Sequence, residues 1–247
     1  MSKLNIVIPM AGTGSRFANI GYKTLKPFIE INGKMMIESV LDGIKYDNAN
    51  YIIIIRRAIL EEYGKEINYI KNKYNIKFVI IEKPTMGASC TALAAHNFIN
   101  NPNSVLFCDC DNIIDNGIFH NFIDFCQTSN ADGSLLTFHS DQNCFSFVKI
   151  NSDNYATDIK EKEVISNNAI AGFYFFKQGS DFVNSAINIM IYNEKSKNEF
   201  YISNTFNDMI RLKKKINIYN IDEKYFYCVG TPEQVEQYLQ LTSTLNK

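Results

Sequence analysis

Apolar positions along the chain fall into two alternating textures. Unbroken apolar runs of strand length, at Leu4–Pro9, Tyr51–Arg56, Phe78–Glu82, Ser104–Asp109 and Gly133–His139, stand between stretches whose apolar residues recur three and four apart, at Met35–Lys45, Ala58–Lys73, Ala88–Asn100 and Gly117–Ser129. A strand covered on one face alternates apolar with polar residues. An unbroken run is covered on both faces, and parallel strands joined by crossover helices provide that cover. The first half therefore predicts an α/β layer structure with its ligands at the carboxyl ends of the strands.

After about residue 140 the alternation is less regular. Strands are expected near Phe145–Ile150 and Ala169–Phe176, helices near Asp181–Tyr192 and Ile202–Lys214, and a last strand pair at Ile216–Ile221 and Tyr225–Val229. Thr231-Pro232-Glu233 then reads as the start of a terminal helix reaching about Leu241, with Thr231 as cap and Pro232 in the first turn. No Pro/Gly/Ser-rich linker or internal repeat divides the chain. One domain over 1–247 is expected, its second half adding to the same sheet.

Composition narrows the partners. The 247 residues carry 25 Lys plus Arg against 26 Asp plus Glu, a formal charge of -1, so bulk charge does not hold this chain to nucleic acid or to an anionic membrane. The first apolar run is too short for a signal h-region, and no stretch approaches the roughly 20 apolar residues of a membrane span. The six cysteines are scattered without paired CxxC spacing. Reduced thiols and a cytoplasmic protein are expected.

The first strand ends in Met10-Ala11-Gly12-Thr13-Gly14-Ser15-Arg16-Phe17, a turn whose glycines let backbone amides approach an anion, with an arginine two residues after the second glycine. It is neither a dinucleotide fingerprint, since Phe17 takes the third-glycine position, nor a P-loop, since no Gly-Lys-Ser/Thr follows. Alone it reads equally as a tight strand-to-loop turn. Ten residues beyond Arg16 stands Lys26, in a loop anchored by Pro27 and Phe28.

With these residues in order and spacing, the sequence resembles the nucleotidyltransferases that activate phosphorylated sugars and related metabolites, including short capsule-pathway relatives. The likeness continues through Glu82-Lys83-Pro84-Thr85-Met86-Gly87-Ala88-Ser89, similar to the family's base-recognition loop, and Val105 to Ile113, similar to its strand ending in a metal-binding aspartate. Glu161-Lys162, the strand through Gly172, Glu199-Phe200-Tyr201 and Val229-Gly230-Thr231-Pro232 resemble its later landmarks.

The resemblance implies a Rossmann-like three-layer α/β/α fold with a mixed, mostly parallel central sheet, residues 1–140 binding nucleotide and 141–247 the acceptor. It implies attack by an acceptor phosphate on the α-phosphorus of a nucleoside triphosphate, with pyrophosphate leaving. Ala11, Gly12, Thr13 and Gly14 would cradle phosphate, Arg16 would hold the departing β- and γ-phosphates, and Lys26 would neutralise the α-phosphate. Glu82, Gly87 and Ala88 would meet the base. Lys162, Asn112 and Gly172 would bind the phosphorylated acceptor. Asp111 would hold Mg²⁺ (or Mn²⁺), with Asp109 as helper. In place of a second metal-binding aspartate before Val229-Gly230-Thr231 stands Cys228, whose neutral thiol is a poor ligand for a hard cation.

CTP is the expected nucleotide, because an ionised Glu82 only accepts and suits the amino group of cytosine rather than the O4 of uracil or thymine. The resemblance to the short capsule-pathway relatives implies an acceptor that is a phosphorylated sugar or a non-sugar such as phosphoglutamine. Two other readings compete: a nucleotide-binding regulatory protein without turnover, suggested by Cys228, and a glycosyltransferase using Asp109-Cys110-Asp111 as a DxD metal motif. Arg16 and Lys26 at their spacing count against the latter. His96, His120, His139 and the basic run Arg211 to Lys215 receive no functional role.

Overall fold

A computed structural model of the chain describes residues 3–245. Nine strands build one mixed sheet: β1 (Leu4–Pro9), β2 (Ala49–Arg56), β3 (Ile76–Ile81), β4 (Val105–Cys108), β5 (Gly133–His139), β6 (Ser146–Ile150), β7 (Ala156–Glu161), β8 (Asn168–Phe176) and β9 (Ile216–Ile221). Their order is β7-β6-β8-β4-β1-β2-β3, with β5 along the other edge of β8 and β9 outside β5. The run from β4 through β1 and β2 to β3 is parallel, as is β5 with β9, whereas β8 is antiparallel to β4, β5 and β6.

Alternation splits each parallel strand between two helical layers, which is why its apolar run is unbroken. Leu4, Ile6 and Ile8 of β1 join a core with Met36, Ile37 and Val40 of the helix Met36–Gly43 and with Phe119 and Phe122 of the helix Asn116–Thr128. Val7 faces the other core, with Phe182 of the helix Gly179–Ile191 and Phe206 of the helix Ile202–Arg211. In β4, Leu106 and Cys108 take the first side, Val105 and Phe107 the second. The Phe107 ring centre lies 4.2 Å from that of Phe182. Truncating so buried a ring costs about 3–5 kcal/mol.

Four expectations change. The helix expected over 58–73 is two, Arg57–Glu62 and Gly64–Tyr74, broken at Tyr63, whose ring stacks 4.7 Å from Phe28 and whose hydroxyl accepts from Leu25 N–H at 2.9 Å. Gly64, a poor helix former, makes the break inexpensive. The helix expected over 88–100 also divides, into Ala88–Leu93 and His96–Ile99, where Ala94 and Ala95 bond three residues back and tighten the turn. Both strands of the expected terminal pair form, but not with each other: β9 lies parallel to β5, and Phe226–Cys228 pairs with Asn112–Ile114 in a separate antiparallel ribbon. Finally β7, whose only apolar residues are Ala156 and Ile159, shows no apolar run and is a strand that the hydrophobic pattern does not predict.

Candidate active site

Strands β4 and β6 share one edge of β8 but pair at different places, β4 along Phe173–Phe176 and β6 at Ala169 and Ile170. Ala171 and Gly172 lie between, where the sheet opens. Gly172 has φ +77°, and a Cβ there would collide with the side chains of Asp109 and Asn112. Only glycine allows that kink and that approach together. The Asp109 N–H donates to Gly172 O at 3.1 Å, and Asn112 Nδ2 donates to Ala171 O at 3.0 Å and to Asp109 Oδ2 at 3.3 Å.

A cleft of about 470 Å³ lies over this opening, lined by Gly12, Thr13, Gly14 and Arg16 from the glycine-rich turn, by Lys26, Ala88, Asp109, Asp111 and Asn112, and by Glu161 and Lys162 from the second half. Residues far apart in sequence thus meet at the carboxyl ends of β1 and β4. Arg56, closing β2, steadies the turn from behind: its Nε donates to Ala11 O at 2.8 Å and an Nη to Gly12 O at 3.4 Å.

Lys26 and Asp111 form the tightest charge contact in the cleft, Nζ to Oδ2 at 2.6 Å, both side chains largely buried. Burial works against the Lys26 ammonium, but the Asp111 carboxylate outweighs it and holds the lysine well above its ordinary value. Lys26 is therefore a permanent cation here. Asp111 is placed by the ribbon, where Val229 N–H donates to Asp111 O at 2.8 Å, and its carboxylate packs against Gly230. Arg16 reaches the same corner, Nη1 to Gly230 O at 3.4 Å.

On the other side, β7 delivers Glu161 and the left-handed Lys162, φ +57°. Glu161 accepts from the hydroxyls of Ser146 and of Ser203, the latter at 2.9 Å. Burial raises its carboxyl all the same. Asp109 is held well above the usual carboxylate range, first by burial and then by the charges of Asp111 and Glu161. Ser146, Ser203, Arg56 and Tyr201 carried no sequence signal of their own. Glu161 belongs to the Glu161-Lys162 element and Tyr201 to the Glu199-Phe200-Tyr201 element that the family resemblance picks out.

Four expected site residues do not line the cleft. Ala11 is buried behind the turn, and Gly172 lies beneath Asp109 and Asn112. Gly87, φ +126°, presses against the Phe200 backbone so closely that a Cβ would not fit. Glu82 is displaced most: its exposed carboxylate is gripped by Arg57, Nε and Nη2 both within 2.9 Å of it. Glu82 thus faces Arg57 at the protein surface and lies outside the cleft lining.

Among the described residues no group of three His, Cys, Asp or Glu side chains forms a metal centre. Cys228 donates its thiol to Gln234 Oε1 at 3.4 Å, and burial, then the Asp111 charge, push that thiol up to about 12. It is a neutral neighbour, not a thiolate ligand. The Asp111 carboxylate lines the cleft as an oxygen donor of the kind a hard cation such as Mg²⁺ takes, and in this structure it is paired with Lys26.

The fold matches a nucleoside-diphosphate-sugar pyrophosphorylase of Vibrio cholerae RC9 with a TM-score of 0.84 over 95% of this chain and 99% of that one, at 22% identity. The bifunctional protein GlmU of Methanococcus maripaludis is 29% identical over 175 residues, 69% of this chain, and the chain spans only 39% of that protein's length. A choline-phosphate cytidylyltransferase of Haemophilus influenzae is 31% identical over 80 residues, 32% of this chain and 33% of that protein. The sequence model of the nucleotidyl transferase family matches residues 6–244, from β1 through the terminal helix and so across every element that lines the cleft, and the chain belongs to that family.

Proposed function

We propose that this protein transfers a nucleoside monophosphate from a nucleoside triphosphate to the phosphate of a small phosphorylated metabolite. An acceptor phosphate oxygen bonds to the α-phosphorus, the bond to the bridging oxygen breaks, and pyrophosphate leaves with that electron pair. Two polyanions must be held together, so fixed positive charge and positioning supply the catalysis, and no covalent nucleophile is needed. The observation that carries this reading is the meeting of Arg16, Lys26 and Lys162 in one cleft with the glycine-rich turn and Asp111.

In this reading, residues 1–140 bind the nucleotide and 141–247 the acceptor. Gly12, Thr13 and Gly14 cradle the triphosphate, Arg16 holds the departing phosphates, and Lys26 meets the charge that builds on the α-phosphate. Lys162 receives the acceptor phosphate, and Asp109 and Asn112 lie beside it. A divalent cation on Asp111 would supply Lewis-acid neutralisation of phosphate charge. CTP is the triphosphate we place first, supported by the cytidylyltransferase among the relatives. A capsule-pathway acceptor, with phosphoglutamine as one candidate, belongs to the same proposal.

Pyrophosphate release tests it, measured with CTP, UTP, dTTP, ATP and GTP against one panel of phosphorylated sugars and non-sugars. Release with at least one pair is expected, CTP giving the highest turnover. No release with any pair would favour a non-catalytic nucleotide-binding protein.

A further inference from the structure

In the proposed reaction Lys26 faces phosphate and Asp111 a divalent cation, yet in this structure each is engaged by the other. Nζ stands 2.6 Å from Oδ2, and only 17% of the lysine side chain and 16% of the aspartate side chain are exposed. A charge-assisted bond this short and this far withdrawn from water is a strong contact. Among the described residues Lys26 has no other carboxylate within ion-pair distance.

The surrounding corner offers neither group an easy substitute. Arg16 brings a second fixed cation, its Nη1 reaching Gly230 O at 3.4 Å. The side chain that lies against Gly230 beside Asp111 is Cys228, a thiol bonded to Gln234 Oε1 at 3.4 Å rather than a second carboxylate. Asp109 stands over Gly172, its Oδ2 accepting from the Asn112 amide at 3.3 Å. A bare dication at Asp111 must therefore displace the Lys26 ammonium and stay beside two like charges. A bare triphosphate meets the converse obstacle, since its lysine is bonded elsewhere and the Asp111 carboxylate repels it. With both present, Asp111 exchanges ammonium for metal and Lys26 exchanges carboxylate for phosphate, so every charge keeps a partner.

We infer that the Lys26–Asp111 pair is a latch that selects the triphosphate in its metal-bound form. Asp111 withholds Lys26 from a metal-free triphosphate, and Lys26 withholds Asp111 from a metal ion that comes without one. The inference rests on the proposed roles of these residues and goes beyond them in giving the pair itself a part in substrate selection. Such coupling is reciprocal: the factor by which metal tightens triphosphate binding is the factor by which triphosphate tightens metal binding.

Titration calorimetry on the intact protein tests it, with CTP, UTP, dTTP, ATP and GTP in EDTA and no acceptor present. For the tightest binder, Asp111→Asn should strengthen metal-free binding about tenfold, because it releases Lys26. In the Lys26→Gln background the same change should bring little gain, the non-additivity of residues in contact. No gain in Asp111→Asn overturns the latch, and so does an equal gain in both backgrounds, which repulsion alone would give. Mn²⁺ without nucleotide, followed by electron paramagnetic resonance, tests the other arm. Lys26→Gln should bind it about tenfold more tightly than wild type or Lys26→Arg; equal affinity overturns the latch. Pyrophosphate release separates the two proposals. Release by the wild type without the binding gain removes the latch and leaves the transferase reading standing. The gain and its non-additivity, with no release from any pair, uphold the latch and overturn the transferase reading.

Discussion

The Tyr201 hydroxyl accepts a hydrogen bond from Lys162 Nζ at 3.1 Å, with the ammonium 5.1 Å from the centre of the same ring. Its neighbour Phe200 donates N–H to Met86 O at 2.8 Å and accepts from Ser89 N–H at 2.9 Å, the carbonyl and amide that flank Gly87. One dipeptide thus ties the Gly87 loop to the proposed acceptor lysine.

Tyr201→Phe keeps the ring but frees the lysine from its hydroxyl. Losing such a bond costs about 1 kcal/mol, roughly fivefold. The expected result is a rise in KM for the acceptor with the nucleotide KM little changed. A fall in kcat alone, with both KM values at wild type, would exclude a positioning role.

Lys26→Ala removes the cation proposed to face the α-phosphate and strands the Asp111 carboxylate. Loss of one charge-assisted transition-state contact is worth about 10²–10³ in turnover. Steady-state kinetics should show that loss, and Arg16→Ala a similar one. Near-normal turnover in Lys26→Ala would remove the lysine from the mechanism.

Asp111→Asn should abolish most activity and raise the Mg²⁺ concentration needed for what remains. Cys228→Ala should stay near wild type, because its neutral thiol donates to Gln234 rather than binding metal. Metal titrations of both variants make the comparison. Equal losses would mean that Cys228 has a part in the metal site.

Glu82→Gln breaks the exposed pair with Arg57. Solvent-exposed pairs of this kind contribute little, so the melting temperature should hardly move, and the ranking of CTP over UTP should be unchanged. A reversed ranking would return Glu82 to base recognition.

Glu38 governs one part of the acid stability. Its carboxylate accepts from Met35 N–H at 3.0 Å and Lys73 Nζ at 2.8 Å. Burial would raise it, but these bonds prevail and its folded value lies below the ordinary 4.5. Its stabilisation is therefore complete above about that pH and is lost as pH falls through the lower folded value. Glu38→Gln should flatten the stability curve in that acid window, read by urea melts at stepped pH.

Local pattern alone determined the strand runs of the first half, the glycine-rich turn, and the start of the terminal helix, where Gln234 N–H donates to Thr231 Oγ1 at 3.3 Å. Such features depend on residues within a few positions of one another, and two-sided burial writes itself into the sequence as an unbroken apolar run. Motif order also placed Arg16, Lys26, Asp111 and Lys162 in one site. Partners were decided only by tertiary structure. Lys26 meets Asp111 across 85 positions, Glu82 turns to Arg57 rather than to the cleft, and Glu161 finds Ser146 and Ser203. Phe226–Cys228 leaves β9 to pair with Asn112–Ile114 and so sets Asp111 against Gly230. The physical reason is the same in each case: spacing decides which face of an element a side chain occupies, but which charge or hydroxyl waits opposite depends on how elements distant in sequence are brought side by side by the fold.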